Sequence, residues 1–361
     1  VKRVTGRRVM GLSGVMLMGL IVVAVLSTLV GSAAGLWGSG EVFAASVVDR
    51  VGGGEWWGGW AEGLLAEAEM STLATIIFKE RLPRVLLGIV VGAGLAAAGV
   101  VFQGLLRNPL ASPYILGVSA GGALGAVTAI RFSLVGAFMG LSFITGFSFV
   151  GSLLAIGLVY WIGSPGGRAS SVRLILAGVI VNAFLSSITM FLNYTADFTQ
   201  SRRIVMWLMG GLYLADYGLL WRSVPWVALG LVVLWAISRD LNVLSFGDQA
   251  AAQLGVNVER TKRVAFFGGA LVTGVCVSVS GPIGFVGLVI PHMMRFIFGP
   301  DHRLLLPASA IAGGGFLVVC DTVARVGFGA AELPVGVITA FVGGPFFIWL
   351  LRRSGKRRLA G

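Results

Sequence analysis

Stretches of about 20 apolar residues, enough to cross roughly 30 Å of hydrocarbon as a helix, recur along this chain from one end to the other with no long soluble block between them. In lipid the backbone has no water to bond to, so each stretch is committed to helix. Only 12% of the residues are charged, against roughly 25% in an average soluble domain. The pattern predicts an all-α polytopic membrane protein, a single transmembrane domain over residues 1–361. Ten spans are expected near 10–36, 82–106, 113–131, 136–162, 172–194, 222–238, 263–281, 283–298, 307–326 and 333–351. The first begins after Lys2, Arg3, Arg7 and Arg8, and its apolar run reaches about Trp37. That far exceeds the ~7–15 apolar residues of a secretory signal, so it is read as a retained helix.

An even number of spans puts both termini on one side. With the termini in the cytoplasm, two-thirds of the Lys and Arg fall inside, as the positive-inside rule requires. Two segments then lie outside the bilayer. Residues 38–80 form an external loop with Trp56, Trp57 and Trp60, suited to the headgroup level. Residues 239–263 form a cytoplasmic loop in which Ser245-Phe-Gly-Asp248 has capping-box spacing and Gly255 can close a short helix. A helical loop of this length is more than a connection needs, which points to a docking partner.

Several chemistries are excluded. The net charge of +12 is scattered between apolar spans rather than gathered in a stripe with interleaved aromatics, so no nucleic acid is expected. Cys276 and Cys320 sit in apolar runs, and with only His292 and His302 besides, neither a disulfide framework nor a metal site is predicted. None of Lys2, Lys79, Lys262 and Lys356 stands in a P-loop. No nucleophile, base and acid assemble into a triad, so the chain is not read as an enzyme and carries no cofactor of its own.

Two blocks carry local patterns. From Arg81-Leu-Pro-Arg84 the first runs through Gly88, Gly92, Gly94 and Gly99 to Gln103, Arg107-Asn-Pro-Leu-Ala-Ser-Pro113, Gly117, Gly121 and Gly125. Small residues every four positions predict helix contacts, and the two X-Pro steps predict a tight turn at the inner mouth. The second block holds Gly281-Pro-Ile-Gly, Ile290-Pro-His-Met-Met-Arg295, Gly299-Pro-Asp-His-Arg303, Asp321-Thr-Val-Ala-Arg325, Glu332-Leu-Pro334 and Gly343-Gly-Pro-Phe-Phe347. Asp321 lies inside an apolar run, with Arg325 one turn away as its expected partner. His292 is read as structural, and Met206, Met209, Met293 and Met294 as packing.

Together these blocks, with Leu174-Ile-Leu-Ala-Gly178, Trp207-Leu-Met-Gly-Gly211 and the segment 244–255, resemble the FecCD-type permeases of ABC importers, over nearly the whole chain after the first loop. The resemblance implies a type II importer architecture in the bacterial or archaeal cytoplasmic membrane. It also implies a second permease subunit in a homodimer, two cytoplasmic ATPase subunits holding ATP and Mg, and an external substrate-binding protein. Arg81, Arg84 and Arg325 would dock the binding protein, since guanidinium grips carboxylate bidentately. Leu241, Phe246, Asp248, Ala251, Leu254 and Gly255 would form the coupling element, with Phe246, Ala250, Ala251 and Leu254 as its apolar contact surface. Asn108, Leu110, Ser171 and Val172 align with a cytoplasmic gate, and the fifth and tenth spans would meet across the dimer axis. The implied cargo is an iron complex, haem or cobalamin, moved by alternating access. A proton- or sodium-coupled secondary transporter using Asp321 is the rival, opposed by the scarcity of other ionisable groups within the spans.

Overall fold

The computed structural model describes residues 6–30, 74–138, 141–167, 169–327 and 332–359. In chain order its helices are α1 (Gly6–Leu29), α2 (Leu82–Leu106), α3 (Val118–Arg131), α4 (Phe143–Gly163), α5 (Ser171–Tyr194), α6 (Phe198–Leu208) and α7 (Tyr217–Ala236). There follow α8 (Ser238–Leu244), α9 (Asp248–Gln253), α10 (Val258–Ser280), α11 (Val286–Phe298), α12 (His302–Val326) and α13 (Val335–Leu359). A two-residue hairpin, β1 (Ala137–Phe138) with β2 (Leu141–Ser142), precedes α4. Among the described residues, six helical segments are long and apolar enough to cross a membrane: Ile76–Leu106, α4, α5, α7, α10 and α12. Shorter apolar helices lie at Ser13–Leu29, Val286–Phe298 and Val335–Leu350.

Each of the ten expected spans has a helix, with residues 31–36 of the first outside the described residues, and the bounds need correction: α4 begins at Phe143 rather than 136, because the hairpin takes up the intervening chain. α3 begins at Val118 rather than 113, because Pro113 and a turn ending at Gly117 (φ +81°) occupy the intervening chain. Its 14 residues rise only about 21 Å, too little to cross alone. α11, at 13 residues, is likewise too short to cross alone. The expected external loop 38–80 ends in helix, since Ile76–Arg81 is a π-helical turn running straight into α2; Trp56, Trp57 and Trp60 lie outside the described residues. α6 is an element no apolar run announced. Asp197 caps it by accepting from the Gln200 amide at 2.8 Å, and only one face, with Ile204 and Trp207, is buried.

The core is built around α2, which is buried on nearly every side by α12, α10, α11 and α7. Glycine permits this closeness. A Cβ on Gly92 would lie 2.2 Å from Gly313 O of α12, and one on Gly99 would lie 1.9 Å from Gly287 O of α11. The glycine-spaced faces predicted to be contacts are contacts, and Gly121 meets Gly151 of α4 in the same way. Cys276 and Cys320 are buried free thiols. α4, α5 and α7 instead turn large apolar side chains outward, among them Trp161, Val172, Phe184 and Trp221. Such a face needs lipid or another protein against it.

Candidate functional site

Functional side chains gather at the two ends of this bundle. At the end that the charge bias assigns outside, Arg81 closes the π-helical turn and Arg84 stands in the first turn of α2, on either side of Pro83 where the two helical segments join. Helix α12 delivers Asp321 and Arg325 to the same place. Arg84 Nε donates to Asp321 Oδ1 at 2.9 Å and Arg325 Nε to Asp321 Oδ2 at 3.0 Å, so each arginine takes one oxygen of a single buried carboxylate. Arg84 Nη1 also donates to Glu332 Oε2 at 2.8 Å, and Arg325 Nη2 to Ser27 O and Oγ, both at 3.1 Å. Arg81 makes no ion pair among the described residues; its Nη1 donates to Leu29 O at 3.2 Å. A cavity of about 440 Å³ opens over Arg81, Arg84, Arg325, Lys79 and Tyr213.

The expected pairing of Asp321 with Arg325 is present. The structure adds Arg84 to it, and all three arginines are buried rather than freely extended. Lys79, Arg81, Arg84 and Arg325 line the cavity together with Glu80 and Glu332, and Asp321 lies beneath, so the site keeps a surplus of one positive charge. Glu332, half exposed at the rim, was visible in the sequence only as part of a motif. Its link to Arg84 crosses 248 residues of sequence.

At the other end lies the predicted coupling loop. It is two short helices rather than one, and the capping box is not formed. Ser245 ends α8, its Oγ donating to Asn242 O at 2.6 Å, whereas Gly247 (φ +117°) precedes Asp248 and starts α9. The expected stop is present: Gly255 (φ +84°) donates its amide to Ala252 O, and the Val256 amide bonds to Ala251 O, both at 3.0 Å. Phe246 and Leu254 face outward, 77% and 68% exposed. Leu241 and Ala251 are fully buried, so Ala251 packs inward and does not belong to the outward apolar surface expected of it.

The proline turn at the inner mouth is fixed by its own side chain, with the Leu110 amide donating to Asn108 Oδ1 at 2.9 Å. Leu110 and Val172 are exposed, while Ser171 Oγ donates to Leu105 O at 3.3 Å, joining the start of α5 to the end of α2. Asp248 pairs with Arg107 of that turn and with Lys262 Nζ of α10. Asn242 of α8 is held by α12 and its cap. Its Nδ2 donates to Asp301 Oδ1 at 2.8 Å, and its Oδ1 accepts from the His302 amide at 2.8 Å. Hydrogen bonds from Arg303 and Asn242 draw the Asp301 carboxyl down to about 2. None of these contacts was legible in the sequence, where Lys262 and Asn242 stand in no motif. His292 packs edge-on to Phe296 with ring centroids 4.8 Å apart.

This architecture, a helical membrane bundle with an arginine-lined outer cavity and a helical loop at its inner face, is that of an importer permease. Residues 20–353 match the model of the FecCD transport family, and the chain belongs to that family of ABC importer permeases. It is 45% identical over 288 residues to the cobalamin import system permease protein BtuC of Halobacterium salinarum, covering 80% of this chain and 76% of that one. The hemin transport system permease protein HmuU of Yersinia pestis is 42% identical, with 77% and 83% covered. The iron(3+)-hydroxamate import system permease protein FhuG of Bacillus subtilis is 34% identical, with 77% and 84% covered. Among solved structures, a transporter described as of the metal-chelate ABC type, in an inward-facing conformation, superposes with a TM-score of 0.77 at 31% identity, covering 95% of this chain and 99% of that one.

Proposed function

We propose that this chain is the conduit of an ABC importer for cobalamin or an iron complex such as haem or a ferric siderophore, in a bacterial or archaeal cytoplasmic membrane. The observation that carries this is the division of labour between the two ends. A cationic cavity suits the carboxylates of an external binding protein, and an outward apolar pair, Phe246 and Leu254, suits a cleft in a separate ATPase. The exposed apolar stripe of α5, with Val172, Leu176, Ile180 and Phe184, supports pairing with a second copy of the chain. Asn108, Leu110, Ser171 and Val172, on two neighbouring turns, would close the pathway in each subunit. Alternating access follows if ATP-driven closure of the paired ATPases pushes on α8 and α9. The chain then performs no chemistry, ATP and Mg belonging to the partner.

The named cargoes of the relatives differ chemically, so cargo is decided by the binding protein rather than by the motifs shared here. Purification of the tagged chain from its native membrane tests the assembly. An ATPase subunit and a binding protein are expected to co-purify in detergent, and Phe246→Glu with Leu254→Glu is expected to release the ATPase alone. Recovery of the chain without an ATPase, or with one that the double variant leaves bound, would contradict the assignment.

A further inference from the structure

Asp248, the first residue of α9, accepts from two cations. One is Arg107 at the end of α2, and the other is Lys262 Nζ at 2.6 Å. The two ends of the Lys262 pair differ sharply in exposure, the carboxylate being 47% exposed and the lysine side chain only 4%. Burying an ammonium is costly unless acceptors surround it, and an exposed pair alone contributes little. The second acceptor explains the burial: Lys262 Nζ also donates to Ala169 O at 2.8 Å. Glu259, on the same turn of α10, accepts from the Ala169 amide at 3.3 Å. Both backbone polar groups of Ala169 are thereby held by α10, two residues before Ser171 begins α5.

We propose that Lys262 is a positioning residue, a strut that joins α9 to the segment 169–172 and passes a displacement of α9 directly to the start of α5. The proposal rests on the functional reading above, in which a motor works on α9 and Ser171 and Val172 belong to the inner gate. Its physical basis is that one buried ammonium bonds both moving parts. An ammonium with three donors can serve two acceptors on different segments at once, and no chain of packed side chains has to relay the movement. Arg107 gives the same carboxylate a second connection, to the turn that carries Asn108 and Leu110. A single acidic residue on α9 therefore communicates with both inner turns, and Lys262 is the member whose burial leaves it least free to let go.

The test uses the complete complex with its ATPase subunits. Nitroxide labels are placed at Arg173→Cys and Gln253→Cys, both exposed positions, where the buried Cys276 and Cys320 are shielded from labelling. In the parent the within-subunit label distance, the one that stays constant, is expected to remain narrow as ATP and then vanadate are added, both labels moving together, while the between-subunit distances change. Lys262→Met is expected to broaden that distribution. It should also lower the solute moved per ATP about tenfold, measured with whichever of cobalamin, hemin and an iron(3+)-hydroxamate the parent transports. Lys262→Arg, which keeps charge and donors, should restore part of both. Should Lys262→Met fail to assemble, Asp248→Asn cuts the same strut at its exposed end and carries the same expectations. An unbroadened distance with a parental solute-to-ATP ratio in the assembled variant overturns the strut alone. A parent complex whose flux is independent of ATP overturns the functional reading and the strut with it.

Discussion

Removing the carboxylate of Asp321 should be among the most damaging single changes outside the glycine contacts. Its side chain is 2% exposed, and its two oxygens separately neutralise Arg84 and Arg325, which are themselves 11% and 6% exposed. Deleting one partner of a buried ion pair leaves an uncompensated charge and costs about 3–5 kcal/mol. Asp321→Ala should fall in that range, because Arg325 then keeps only neutral oxygens of Ser27, Val30 and Thr322 among the described residues, and Arg84 keeps only the rim carboxylate of Glu332. Glu332→Gln removes a carboxylate that is 55% exposed and should cost no more than about 1 kcal/mol. Replacing the whole triad with apolar residues of similar volume, Arg84→Met, Asp321→Leu and Arg325→Met, should recover most of the loss, since no buried charge remains. Unfolding by SDS in mixed micelles, followed by tryptophan fluorescence, measures all three. Equal costs for Asp321→Ala and Glu332→Gln, or a triple variant weaker than Asp321→Ala, would refute the reasoning.

Gly92→Leu should prevent folding, because even a Cβ would lie 2.2 Å from Gly313 O and the far carbonyl cannot rotate away; monodisperse protein on size exclusion would contradict this. Ala251→Glu should destabilise the isolated chain by at least about 3 kcal/mol, a buried unpaired charge. Phe246→Glu, on an exposed site, should leave its unfolding midpoint within about 0.5 kcal/mol. Asp301 contributes stability that is complete above its unfolded value of about 3.9 and is lost as pH falls through its folded value of about 2, because the folded state binds the proton less readily. Asp301→Asn should therefore flatten the loss of stability between pH 4 and 2, measured by the same micellar unfolding; an unchanged slope would dissociate Asp301 from it.

How much of this could be read from residues alone depended on whether the relevant physics was local. The spans were legible because each is a contiguous apolar run, and the close helix contacts because glycines recur every four residues on one face. The Asp321–Arg325 pair was legible because it spans one turn. Arg84 on Asp321 was not, since 237 residues separate them and no periodicity records a meeting of two helices. α6 was missed because its single buried face is too short to raise an apolar run. The coupling loop shows both outcomes. Gly255 signalled its stop through a local backbone requirement, whereas Ser245 mimicked a start that Gly247, with its positive φ, makes in its place. The inward turn of Ala251 could not be foreseen, because an alanine is indifferent to which face of a six-residue helix it occupies.

The central claim is that this chain is a passive pathway worked by a separate motor. Flux into proteoliposomes tests it most directly, with the purified chain reconstituted alone or with its ATPase, and labelled cobalamin, hemin or an iron(3+)-hydroxamate offered with the binding protein. Uptake of one of these is expected only when ATPase and ATP are both present. Uptake by the isolated chain driven by a pH or sodium gradient would contradict it.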